Sequence, residues 1–149
     1  MTPSNQDLER ILKDVYSAVV GAELVPADQA APMVPKESRI MASVSFTGSW
    51  QGALCMEYPS SLARDLAATM FDTKAETVSR DELHDAVGEI ANIAGGNFKT
   101  LVGGGCQISL PSVTEGTDYE QVVSGAKVAL SGSFGCQGRL LTVRILEKA

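Results

Sequence analysis

The sequence predicts an α+β fold of two layers. Two helix-plus-β-hairpin halves form one mostly antiparallel sheet, with two long helices on one face. Three observations predict it. Residues 6–20 and 81–100 carry apolar side chains at helical spacing. Residues 39–58 and 127–146 alternate around glycine-containing turns, as hairpins do. The stretch "GSWQGALCMEY" is echoed by "GSFGCQGRLLTVRI" once two residues are inserted after the aromatic. At 149 residues the whole chain is expected to be a single domain, residues 1–149.

Each element follows from local chemistry. Leu8, Ile11, Leu12, Val15, Val19 and Val20 make the first helix amphipathic, Ser4 or Asn5 can cap it, and Gly21 ends it. "LVPADQAAPMVPKES" contains Pro26, Pro32 and Pro35 and is expected to be a loop, or an edge strand at most. The hairpin over 39–58 stops at Pro59. "SSLARDLAATMF" gives a short helix, with Ser60 as its cap and Leu62, Leu66 and Met70 along one side. After the polar "DTKAETVSR", Ser79 or Asp81 can cap the second long helix. "GGGCQISLPSV" reads as a glycine-rich break and a short strand ended by Pro111. "TEGTDYEQ" is expected to be polar loop, and the hairpin over 127–146 closes the chain.

Composition removes several function classes. A formal net charge of −6 argues against nucleic acid as a partner, because phosphate binding needs a basic surface. No apolar run approaches eighteen residues, so no membrane insertion is expected. The first residues lack a signal-peptide pattern, which points to the cytoplasm. The three cysteines, Cys55, Cys106 and Cys136, form no CxxC pair, and His84 is the one histidine, so neither a disulfide scaffold nor a zinc site is expected. Cys55 lies in an apolar strand pattern and reads as a buried, inert thiol. His84, next to Asp85, reads as a surface histidine. "GGGCQ" lacks the Lys-Ser/Thr of a phosphate-binding loop.

The informative segment is the helix "DELHDAVGEIANIAGGNFKT". At about 100° per residue, Asp85, Glu89 and Asn92 fall within roughly 60° of one another. Ala86, Val87, Ile90, Ile93, Ala94 and Leu101 fill the opposite side, with Phe98 at its margin. Gly88, Gly95 and Gly96 lie beside the polar stripe. Each glycine costs roughly 1 kcal/mol against alanine in a helix, and close approach of another backbone is the reason to keep one. Two acids at i, i+4 repel mildly, and asparagine is a poor helix former. A face that accepts three weak choices is either simply solvated or functional. Asp85 and Glu89 on one helix supply too few oxygens for a metal, and neighbours on one helix cannot flank a glycosidic bond.

The residues Asp85-xxx-Glu89-xx-Asn92, then "GGNFKT" and Pro111 in "ISLPSV", resemble the CheC/CheX/FliY family of chemotaxis phosphatases. A single motif in the second long helix looks like the CheX branch. The first helix carries Asp14 and Ser17 at the equivalent places, which argues against a working second copy. The resemblance implies a phosphatase acting on a phosphorylated CheY-type receiver, a response regulator of two-component signalling. In that reading Glu89 pairs with the receiver's active-site lysine, and Asn92 holds a water in line with the phosphorus. Asp85, Gly88, Gly95, Gly96 and Lys99 would then be partner-binding. The protein would need no cofactor or metal of its own, with Mg²⁺ held by the receiver, and a homodimer formed by sheet extension is expected. The other class kept open is a non-catalytic CheX-like adaptor for a receiver or flagellar switch component; an oligomerisation domain with a merely solvated stripe is a third.

Overall fold

Ser4 and Ser79 start the two long helices in the same way. Ahead of α1 (Asn5–Val20), the Ser4 hydroxyl accepts from the Asp7 N–H at 3.2 Å and Asp7 accepts from the Ser4 N–H at 3.0 Å. Ahead of α3 (Arg80–Leu101), Ser79 and Glu82 exchange the same bonds at 3.1 and 2.9 Å. These reciprocal caps satisfy N–H groups that a helix start otherwise leaves unpaired. They select Ser4 over Asn5 and Ser79 over Asp81. Gly21 ends α1 in the left-handed conformation, φ 63°. The short helix α2 (Ser60–Met70) differs from expectation: Pro59 is its cap and Ser60 its first helical residue. Ser60 is engaged elsewhere, its N–H donating to the Ser38 carbonyl and its hydroxyl paired with Ser38 Oγ at 2.7 Å.

The computed structural model describes residues 3–27, 38–103, 105–116 and 126–148. Among these, seven strands form one sheet in the order β1 (Val25–Ala27), β6 (Ala126–Cys136), β7 (Arg139–Lys148), β3 (Gly52–Pro59) and β2 (Arg39–Gly48). Two short strands, β4 (Cys106–Ile108) and β5 (Ser112–Gly116), share the outer edge of β2. Every pairing is antiparallel. Both expected hairpins form, and they meet through β3 and β7, with Leu54 opposite Ile145.

Of two loop expectations one holds in its edge-strand form and one changes. Val25, Pro26 and Ala27 form an edge strand on β6, the place where a strand tolerates proline; residues 28–37 lie outside the described residues. Of the expected polar loop, Thr114, Glu115 and Gly116 belong to β5, paired with Met41, Ile40 and Arg39. Backbone bonds to β2 decide that strand, and its polar side chains carry no apolar alternation. Residues 117–121 lie outside the described residues.

Alternation along the long strands builds the core. Ile40, Ala42, Val44 and Phe46 on β2, Leu54, Met56 and Tyr58 on β3, and Leu141, Val143 and Ile145 on β7 are all buried in one cluster. Leu8, Leu12 and Val15 of α1, Leu62 and Leu66 of α2, and Val87, Ile90 and Ala94 of α3 join it. At about 1.5–3 kcal/mol for each large apolar side chain fully buried, this face fixes how the helices sit. Trp50 meets Phe46 and Phe98 edge-on and those two rings are tilted on each other, with ring centroids 5.5–5.6 Å apart, and the trio holds the far end of α3 over the β2–β3 turn. The Tyr16 and Tyr58 hydroxyls, both buried, hydrogen-bond each other between α1 and β3. Met41, Ala53, Cys55 and Leu146 form a small second cluster. The Cys55 thiol is buried as expected, and burial pushes it up to about 11.

Candidate functional site

α3 turns its polar stripe outward, as its periodicity predicts. Asp85, Glu89 and Asn92 are exposed, whereas Ala86, Val87, Ile90 and Ala94 are buried. Among the described residues, none of the three polar side chains has a hydrogen-bond or ion-pair partner. They stand on a helix of 22 residues, capped at one end and anchored by Phe98 near the other. A rigid element thus presents an acid, an acid and an amide with their polar atoms available.

The glycines behave unequally. A Cβ on Gly95 would stand 2.6 Å from Val44 Cγ2 and 2.7 Å from Ile108 Cδ1. A Cβ on Gly88 would stand 3.5 Å from Cβ and Cγ of Pro111. The close approach at these two positions is therefore to the protein's own β2 and β4–β5 segment. Gly96 is different: it is exposed and faces open space. Lys99 continues the stripe and is half-buried.

This contact builds a second wall. Ser109 donates its N–H to the Ser45 carbonyl at 2.9 Å, and its hydroxyl accepts from the Ser45 N–H at 2.9 Å and donates to the Leu110 carbonyl. Pro111 then leans on Gly88. Between wall and helix runs an open groove of about 430 Å³ lined by His84, Asp85, Gly88, Glu89, Pro111 and Val113. At its upstream end, Glu115 of β5 takes His84 Nε2 at 3.0 Å and Arg80 Nε at 2.7 Å. The hydrogen bond from His84, helped by Arg80 and opposed by slight burial, holds the Glu115 carboxyl below its usual range. His84 lies at the surface, and there it ties helix to strand.

Sequence reasoning did not find Glu115, whose strand shows no apolar alternation. Asp14 and Ser17 of α1 line a separate open groove with Lys13, Gly21, Ala22, Glu23 and Leu24.

The family model described as chemotaxis phosphatase CheX matches residues 40–132, a span that holds all of α3 and Pro111. The chain belongs to the CheX family. Family membership brings the stripe and the wall into one matched segment. Solved structures with the same fold include the chemotaxis protein CheX of Vibrio vulnificus (TM-score 0.78, 18% identity, covering 96% of this chain and 95% of that one). The CheX of Desulfovibrio desulfuricans is similar (TM-score 0.72, 19% identity, 94% and 96% covered). So is a chain in the CheX–CheY–BeF₃–Mg²⁺ complex of Borrelia burgdorferi (TM-score 0.73, 16% identity, 100% of both chains covered). At these identities they show the fold. No curated protein matches the chain significantly. Among the described residues no helix is long and apolar enough to cross a membrane.

Proposed function

We propose that this chain dephosphorylates the phospho-aspartate of a CheY-type response regulator in chemotaxis signalling. The observation that carries the reading is the exposed Glu89–Asn92 pair on the outer stripe of α3, with no partner among the described residues. Membership in a family described as chemotaxis phosphatases supports it, and so does a structural neighbour's complex with CheY, BeF₃ and Mg²⁺.

In this reading α3 docks against the phosphorylated pocket. Glu89 pairs with the receiver's active-site lysine, and Asp85 adds negative charge at the rim. Asn92 enters the pocket and orients a water toward the phosphorus. An amide both donates and accepts a hydrogen bond, so it can hold water without setting a charge against the phosphoryl oxygens. Positioning carries most of the acceleration, since the acyl phosphate is reactive and the charge stabilisation comes from the receiver's own Mg²⁺. Gly96 leaves space on the side of the stripe away from the wall. A cytoplasmic location and a homodimer joined at a sheet edge belong to the same proposal; β1 is such an edge, and its Val25 is exposed.

The test is phosphate release from a phosphorylated CheY-type receiver, with wild type beside Glu89→Ala and Asn92→Ala. The expected outcome is faster release with wild type, weak binding by Glu89→Ala, and binding without acceleration by Asn92→Ala. Receiver binding by wild type with no acceleration would establish the adaptor class instead.

A further inference from the structure

Leu110 is 88% exposed, the most exposed of the large apolar side chains described. An isolated surface leucine is ordinary, but this one is held in a defined place. Ser109, immediately before it, is fixed to β2 by two hydrogen bonds to the Ser45 backbone, each 2.9 Å. Pro111, immediately after it, packs on Gly88. Ile108 packs on Gly95. The chain from 108 to 111 thus runs from the level of Gly95 to the level of Gly88, and Asn92 occupies the helix between those two glycines. Leu110 therefore lies between the levels of Gly95 and Gly88, on the wall side of the stripe that carries Glu89 and Asn92, and it is exposed.

We infer that Leu110 is an apolar anchor that packs against the phosphorylated receiver beside its acyl-phosphate pocket and contributes to receiver choice. This rests on the proposed function. The occupant follows from continuity with the site: whatever covers Asn92 and Glu89 meets Leu110 in the same step. It also follows from what the stripe lacks. Asp85, Glu89 and Asn92 offer charge and hydrogen bonds at solvated positions, which steer and orient a partner more than they hold it. Lasting association needs apolar burial, and on this side of the helix the described residues offer Leu110 for it. Two hydrogen bonds from Ser109, one through its backbone N–H and one through its hydroxyl, and a proline contact fix its segment beforehand, so little ordering remains to be done on binding.

The experiment measures turnover of a phosphorylated CheY-type receiver by Leu110→Ser, Leu110→Met, Asn92→Ala and wild type. Binding to the same receiver loaded with BeF₃ and Mg²⁺ is measured alongside, and melting curves and solution mass check each variant. Leu110→Ser is expected to raise KM and Kd about tenfold at unchanged kcat, while Leu110→Met stays near wild type. A KM and Kd for Leu110→Ser within twofold of wild type would overturn the anchor, with the phosphatase reading intact if wild type still outpaces Asn92→Ala. Weakened binding by Leu110→Ser in a protein that binds but never hydrolyses would uphold the anchor and end the phosphatase reading. A changed solution mass with unchanged KM would assign Leu110 to contact between copies and overturn the proposal.

Discussion

His84 Nε2 lies 3.0 Å from Glu115 Oε2, joining the second turn of α3 to the edge strand β5. Arg80 reaches the same oxygen at 2.7 Å. Because the folded Glu115 carboxyl is held below its ordinary value of 4.5, its contribution to stability is present above that pH and is lost as pH falls through the lowered value. Glu115→Gln is expected to melt roughly one to three degrees lower than wild type near neutrality, a small effect because the pair is largely solvated. The gap should close in strong acid. Melting curves across the acid range measure it, and a gap that is constant with pH would contradict the assignment.

Gly95 and Gly96 are adjacent in sequence and opposite in environment. Gly95→Ala forces a methyl against Val44 and Ile108, and the overpacking is expected to outweigh the gain in helix propensity, leaving a net loss of about 1–2 kcal/mol. Gly96→Ala meets open space and is expected to gain about 0.5–1 kcal/mol. Urea unfolding of the two variants gives opposite signs.

Asn92→Asp keeps the volume of the side chain, removes its donor and sets a negative charge against a phosphoryl group. Under the proposed function it lowers kcat by about a hundredfold with the fold unchanged, since Asn92 is exposed. Single-turnover release from a phosphorylated receiver is the readout.

The buried Tyr16–Tyr58 pair permits a double-mutant cycle. Either single change to Phe strands a buried hydroxyl and is expected to cost about 1–3 kcal/mol. Changing both removes donor and acceptor together, so the double variant should lose less than the sum. Additive losses would mean that the hydroxyls do not depend on one another.

Much of this architecture was legible because the residues state it locally. A cap at Ser79 or Asp81, the apolar spacing through Phe98, and the Asp85, Glu89, Asn92 interval all belong to one helix, where 3.6-residue geometry converts sequence directly into a face. β5 was not legible, because Thr114 and Glu115 sit on an edge strand that β2 holds by backbone bonds. The glycines were half legible. Their rule-breaking shows in the sequence, but what Gly95 approaches is Val44, some fifty positions away, and only the fold supplies that. Leu110 is the same case: the sequence reads its segment as a short strand ended by Pro111, and only the fold shows that the strand stops at Ile108 and that the chain beyond it runs alongside α3.

The wall of the groove, β4–β5 with Ser109 and Pro111 between, is stitched to β2 at the margin of the sheet, whereas α3 is seated in the core. The two halves of the site therefore belong to regions of different durability. Margins of sheets open locally at lower free energy than core helices. On warming, the groove would come apart while α3 was still helical, and receiver recognition would fade before the helical circular-dichroism signal does. Under the proposed function, recognition would thus have its own melting point, set by a few strand hydrogen bonds and a proline resting on a glycine.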